Sequence, residues 1–216
     1  KTPSIEIIIA SSLDGRIAFP NGGASNLGSN NDKRMLDKNL SNVDATIFGL
    51  GTLKAHQSTY LVKSHNENGE IKIAKNQPIS IVASNSKKFS KDWHYFKQPV
   101  KRWLISSSKN NGLGNIDFEK EIFYKNSWRE TLLSIKRVGI NRLALLGGAK
   151  LINSFIKEDL IDEIKITIAP RIIGGKFTWI PTEKTNKFFH LKQFWNIKSI
   201  QELDKNEIYI HYIKKT

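Results

Sequence analysis

Cysteine is absent from all 216 residues, which excludes disulfides, thiol nucleophiles and the thiolate ligands of common structural zinc sites. No apolar run approaches 18 residues, so a membrane-spanning helix is excluded from the pattern. The opening segment KTPSIEIIIASSLDG has too short an apolar stretch for a secretory leader, and a cytoplasmic, reducing setting is expected. Acidic residues are outnumbered, 20 Asp and Glu against 34 Lys and Arg, for a net charge of +14. The lysines are scattered rather than blocked, and no helix-turn-helix, zinc-finger or RNA-binding signature accompanies them, so a nucleic-acid partner is not expected. A basic surface also steers a phosphate-bearing small molecule. His56, His65, His94, His190 and His211 are far apart in sequence, without metal-ligand spacing, and no metal is expected. The complete dinucleotide fingerprint G-x-G-x-x-G is missing as well, since Gly49-Leu50-Gly51 has no third glycine.

What is present is a core: 39% apolar residues, with five Trp and eleven Phe, enough for a folded chain of this length. The β-branched apolar run Ile5–Ala10 reads as a buried strand, and Asp44–Gly49, Pro78–Ala83, Val100–Ser106, Ile122–Tyr124, Leu143–Leu146 and Glu163–Ala169 read as further strands. Helices are expected over Asp32–Leu40, from a capping box at Ser127 and Glu130 to Val138, and after Gly148. Lys54–Gln77 reads as a polar, irregular excursion, and Phe188–Ile213 as two strands joined by a turn at Leu203–Asn206. Strands alternating with helices predict an α/β fold in a single domain over 1–216. Its central sheet is mainly parallel, flanked by helices, with an antiparallel C-terminal edge.

The segment RLALLGGAKLINSFIKEDLIDEIKITIAPRIIGG (142–175) carries the strongest functional signal. A buried strand runs into Gly147, Gly148 and Ala149 and then a helix, which leaves backbone N–H groups free for an anion such as a phosphate. The same glycines also serve as a plain tight turn. Asp14, in the turn after the first strand, is either a carboxylate that orients or protonates a substrate or a local turn cap. Arg16 is either a phosphate partner or a solvated arginine.

Taken in order, these pieces resemble a known family. Ser12-Leu13-Asp14-Gly15-Arg16-Ile17-Ala18, Gly28-Ser29 with Asp32, Asp44-Ala45 through Gly49 and Thr52, Gly147-Gly148-Ala149 with Leu151, Leu160–Glu163, and Ile168-Ala169-Pro170 through Gly174-Gly175 are similar to the reductase domain of bifunctional riboflavin-biosynthesis proteins. The resemblance implies a dihydrofolate-reductase-like fold, an NADPH-dependent reductase, a homodimer, and a phosphoribosylamino-pyrimidine as substrate. It places Gly147, Gly148, Ala149, Lys150 and Leu151 along the cofactor pyrophosphate, with Thr52 and Ser25 as further cofactor contacts. Ser84, with Ser86, Lys87 and Lys88, stands by position where a 2′-phosphate is held; an exposed basic turn is the alternative. If the chain pairs, the Ile164-Ile166-Ile168 strand and the C-terminal strands are the expected surfaces.

Three positions depart from the family. It usually has Lys where this chain has Ile8, Glu where it has Leu146, and Arg nearest Leu40. All three belong to the substrate side, so Ile8, Leu146 and Arg16 are the expected substrate contacts, and another pterin, pyrimidine or carbonyl acceptor stays open. A nucleotide-binding protein without turnover is the other alternative. The companion deaminase needs an H-x-E and a P-C-x-x-C zinc site, which these residues do not supply.

Overall fold

The β-branched run after Pro3 becomes β1 (Ser4–Ser12) in the middle of a nine-stranded sheet. The structure is a computed structural model that describes residues 1–23, 27–86, 88–107, 118–182 and 194–215. In chain order the elements are β1, α1 (Asn30–Leu40), β2 (Ala45–Gly49), α2 (Leu50–His56), β3 (Lys63–His65), β4 (Ile71–Ile73), β5 (Ile79–Ala83) and β6 (Arg102–Ser106). They continue with β7 (Lys120–Phe123), α3 (Trp128–Arg137), β8 (Arg142–Gly147), α4 (Ala149–Lys157), β9 (Glu163–Ala169), β10 (Trp195–Leu203) and β11 (Glu207–Lys214). The sheet order is β10-β11-β9-β1-β8-β2-β5-β6-β7. Every pairing from β9 to β7 is parallel, while β11 runs antiparallel on β9 and β10 antiparallel on β11. The expected mainly parallel sheet with an antiparallel C-terminal edge is therefore observed.

Alternation along the strands sorts two layers. Ile5, Ile7, Ile9, Ala45, Ile47, Leu143 and Leu145 pack with Leu132 and Ile135 of α3 and with Leu151, Ile152, Phe155 and Ile156 of α4. The opposite face of the same strands places Ile8 and Ala144 with Leu40. Polar residues share that second face toward β9. Glu6 and Lys165 form a buried ion pair across β1 and β9, and His211 pairs with Glu163 at 2.6 Å.

Local chemistry explains the helix ends. Ser29 Oγ accepts the Asp32 N–H at 3.2 Å, so α1 begins at Asn30, ahead of the expected Asp32. Ser127 caps α3 as expected, but its Glu130 N–H contact is long at 3.5 Å. The stronger cap comes from Glu158 at the end of α4, whose carboxylate accepts Ser127 Oγ at 3.0 Å and the Trp128 and Arg129 N–H groups at 2.8 and 2.9 Å.

Two elements were not expected. The strand ends at Gly49, and the residues that follow open α2, a helix absent from the sequence reading. The 54–77 excursion contains the small β3–β4 hairpin. Asp37 of α1 ties that hairpin down, accepting the Lys63 N–H at 2.8 Å and meeting His65 Nε2 at 2.8 Å. Among the described residues no helix is long and apolar enough to cross a membrane.

Candidate active site

Parallel strands feeding helices leave a crevice beyond their carboxyl ends. Here that crevice is a cleft of about 1340 Å³, walled by the ends of β1, β2, β5 and β8, by α1 and the start of α4, and by the 176–178 segment. Sequence reasoning assigned Ile8, Thr52, Ser84, Leu146, Gly147, Gly148, Ala149, Lys150 and Leu151 to the site, and all nine line this one cleft.

Its centre is built from glycine. Gly147 has φ +137° and Gly148 φ +89°, values that L side chains rarely adopt. Gly148 is the N-cap of α4 and Gly49 the N-cap of α2, and neither offers a side-chain cap. A Cβ added to Gly148 would lie 3.5 Å from the Gly49 nitrogen and 3.6 Å from Thr52 Oγ1. The two helix starts thus abut at the cleft, and neither cap residue supplies a side-chain acceptor to their N–H groups. That arrangement suits the pyrophosphate of a dinucleotide by hydrogen bonding and by the helix dipole. At the β5 end, Ser84, Asn85 and Ser86 line the cleft. Ser84 Oγ donates to the Ser86 carbonyl at 2.7 Å, and Asn85 Oδ1 accepts the Ser107 hydroxyl at 2.7 Å, which fixes this turn. Lys87 lies outside the described residues, and so does Ser25. Lys88 is not part of the cleft wall.

The rest of the cleft wall carries apolar side chains and lysines. Ile8, Leu40 and Ala144 form one buried cluster, against which Leu36, Tyr60 and Leu146 pack. The three positions where the family usually carries Lys, Arg and Glu fall in this one apolar cluster; Ile8 and Leu146 line the cleft, and Leu40 is buried behind them. Lys33, Lys63 and Lys176 stand on the same cleft. Burial holds His56 below its ordinary pKa. Burial and the nearby Asp37 carboxylate push the Tyr60 hydroxyl well up, and that hydroxyl donates to the Lys33 carbonyl at 3.3 Å.

Asp32 is the acidic group on this wall, and the sequence showed it only as part of a motif. Its carboxylate rests against Gly28, where a Cβ would come within 1.9 Å of Oδ2. Burial first, and then the Glu207 carboxylate, raise its pKa, against an opposing hydrogen bond from Thr167. The signal in the sequence is Ser29-x-x-Asp32, a cap directly after a small residue.

Asp14 and Arg16 are not in the cleft wall. Asp14 accepts hydrogen bonds from Ser12 Oγ and from the Ile173 and Gly174 N–H groups, the last two at 3.1 and 2.7 Å. These donors, Ser12 foremost, lower its pKa to about 2. Arg16 donates to the carbonyls of Asp14 and Gly175. The pair fastens the first turn to the 173–175 loop: the contacts of Asp14 are those of a turn cap, and Arg16 makes local contacts that neither a phosphate partner nor a solvated arginine describes. Among the described residues no group of three potential ligands could hold a metal ion.

The family model of the RibD C-terminal domain matches residues 3–206. The chain is 24% identical over 217 residues to the riboflavin biosynthesis protein RibD of Buchnera aphidicola subsp. Baizongia pistaciae, covering 95% of this chain and 56% of that protein. It is 25% identical to the 2,5-diamino-6-ribosylamino-4(3H)-pyrimidinone 5′-phosphate reductase of Archaeoglobus fulgidus, covering 81% of this chain and 83% of the relative. Acinetobacter baumannii RibD superposes with a TM-score of 0.82 at 19% identity, over 100% of this chain and 59% of that one. Dihydrofolate reductase of Enterococcus faecalis superposes with 0.57 at 11% identity over 99% and 97%, so the fold is dihydrofolate-reductase-like. The chain spans about half the length of the bacterial RibD relatives it matches, 56% and 48% in two cases. With the model matched over most of its length, this chain belongs to the RibD C-terminal domain family.

Proposed function

We propose that the chain is an NADPH-dependent reductase of riboflavin biosynthesis. Its substrate in this reading is 5-amino-6-(5-phosphoribosylamino)uracil or the corresponding diamino-pyrimidinone phosphate, reduced to the ribitylamino form. One observation carries the reading: the abutting, glycine-capped starts of α2 and α4 open into the same cleft as Asp32 and four lysines, Lys33, Lys63, Lys150 and Lys176. When bound, NADPH supplies a hydride to the C1′ carbon of the substrate. The Gly147–Leu151 segment and Thr52 hold the pyrophosphate, and Ser84 and Ser86 stand at the adenosine end. Lys33, Lys63 and Lys176 take the substrate phosphate, and the net charge of +14 steers it toward the cleft. Ile8, Leu36 and Leu146 keep the reacting end dry. Holding two reactants in register supplies about 7–11 kcal/mol of the barrier lowering, with no side-chain nucleophile required.

The 216 residues act as one reductase domain in the cytoplasm, and they pair. Ile164, Ile166 and Ile168 of β9 align in register with Tyr212, Ile210 and Ile208 of β11. Ile197 and Ile200 of β10 extend the row and are 56% and 59% exposed. This apolar sheet face suits a second copy of the chain. Light scattering at micromolar concentration tests it: a dimeric mass that falls to monomer in Ile200→Glu is expected, and a monomeric wild type refutes pairing.

A second reading, the same hydride transfer to a different acceptor, is favoured by the apolar floor that Ile8 and Leu146 give the cleft. A polar substrate group facing that floor loses partners at about 1–3 kcal/mol each. NADPH oxidation assayed with the phosphoribosylamino-pyrimidine, its undeaminated form and a dihydropterin precursor separates the two.

A further inference from the structure

Helix α1 supplies Asp32, Lys33 and Leu36 to the cleft, and Gly28 just ahead of it reaches the same wall. Its apolar anchors come late: Leu40 is buried, Leu36 packs on the same cluster, and no residue of the helix before Asp37 is fully buried. The first turn, which carries Asp32 and Lys33, is therefore held by polar contacts. Ser29 Oγ accepts the Asp32 N–H. The Ser29 N–H is in turn donated to Glu207 Oε1 at 2.8 Å, a residue 178 positions away in sequence.

Glu207 opens β11 and is 3% exposed. The sheet sets its place, since Glu207 stands opposite Leu203 of β10 and the next residue, Ile208, opposite Ile168 of β9. Its second oxygen, Oε2, is buried with no hydrogen-bond partner among the described residues. Burying a carboxyl group with one oxygen unpaired opposes stability rather than adding to it. What the group supplies is a fixed acceptor for the Ser29 N–H. Two residues on, the Tyr209 hydroxyl accepts Asn39 Nδ2 at 3.3 Å with both side chains buried, so the same strand also holds the far end of α1. The helix passes this placement on. Asp37 accepts the Lys63 N–H at 2.8 Å, and the Tyr60 hydroxyl donates to the Lys33 carbonyl at 3.3 Å. Tyr60 and Lys63 line the cleft beside Lys33.

We propose that Glu207 is a positioning residue for the cleft wall that takes the substrate phosphate. From the antiparallel edge of the sheet it fixes the head of α1, and with it Lys33 and the Lys63 segment that α1 ties down. The inference rests on the reductase reading above. Glu207 is itself outside the cleft wall, and the Gly147–Leu151 segment and Thr52 belong to other elements. Substrate binding therefore depends on Glu207, while NADPH binding does not.

The test compares two variants of the intact protein. Glu207→Met fills much the same space without an acceptor, and Glu207→Gln keeps a carbonyl oxygen for the Ser29 N–H. Glu207→Met is expected to raise KM for the phosphoribosylamino-pyrimidine about tenfold, with kcat and the Kd of NADPH little changed. Glu207→Gln is expected to return KM toward the wild-type value. Amide hydrogen exchange should quicken in Glu207→Met at residues 29–36 and 60–65, and stay at the wild-type rate in β1, β8 and α4. If Glu207→Met does not fold, Ser29→Pro deletes the same N–H at a φ of −71° that proline adopts. KM is then expected to rise more than in Ser29→Ala, which loses only the Oγ cap. A wild-type KM in Glu207→Met, or parallel losses of substrate affinity, NADPH affinity and exchange protection across the whole sheet, overturns the proposal. If the wild type binds NADPH but reduces no pyrimidine, the substrate reading has failed, and the exchange comparison alone decides whether Glu207 positions α1.

Discussion

Gly148 and Gly49 meet N-cap to N-cap: a Cβ on Gly148 would stand 3.5 Å from the Gly49 nitrogen. Two helices enter the cleft at one point because both begin with a residue that has no side chain to interpose. Gly148→Ala places a methyl group there and forces an L residue to φ +89°. The backbone strain costs about 1–2 kcal/mol. NADPH binding is expected to weaken by more than that strain accounts for, roughly tenfold or beyond, as measured by calorimetric titration. An unchanged dissociation constant would show that the pyrophosphate lies elsewhere.

Asp14 gives a pH-dependent stability. Its folded pKa of about 2 lies below the ordinary 3.8 because Ser12, Gly174 and Ile173 donate to the carboxylate. A depressed pKa contributes stability that is complete above the unfolded value and lost as pH falls through the folded one. Asp14→Asn should therefore lower the melting temperature at neutral pH. Its difference from wild type should shrink as pH falls from about 4 toward 2, with NADPH affinity unchanged. A pH-independent difference would contradict the assigned hydrogen bonds.

Lys165 is buried beside Glu6, with Arg142 Nη2 at 3.8 Å from the other carboxylate oxygen. Lys165→Met strands Glu6 and is expected to cost about 3–5 kcal/mol in urea unfolding. The double variant Glu6→Leu with Lys165→Met should regain most of that loss. Additive losses would mean that the pair is not coupled.

Glu158 closes the N-terminus of α3 from outside the helix. Glu158→Ala removes the acceptor of two N–H groups and one hydroxyl and should destabilise by about 1–3 kcal/mol. Glu130→Ala should do much less, which thermal unfolding of the two variants compares.

The sheet was legible because β1, β2, β5, β8 and β9 are short, mostly apolar runs, each closed by glycine, serine or proline. The glycine step at Gly147-Gly148 was legible for the same reason. Helix α2 was not, since its glycines mimic a turn and only Leu53 of its seven residues is buried. The β3–β4 hairpin leaves no pattern, because every residue in both strands is exposed. Asp14 drew notice as a carboxylate after a strand, but two of the three donors that occupy it, the Ile173 and Gly174 N–H groups, lie 159 and 160 residues away. The surroundings of Asp32 were not legible because Thr167 and Glu207 reach it from β9 and the antiparallel edge, at a distance in sequence that no local motif encodes.

The central claim, a nicotinamide dinucleotide held between α2 and α4, is tested most directly by thermal unfolding with and without NADPH and NADH. At a hundredfold excess over Kd, binding adds about 2.7 kcal/mol, or a rise of about 5–10 °C for a chain of this size. The account predicts that rise with NADPH, a smaller one with NADH, and its loss in Gly148→Ala. An unchanged melting temperature with either nucleotide would contradict it.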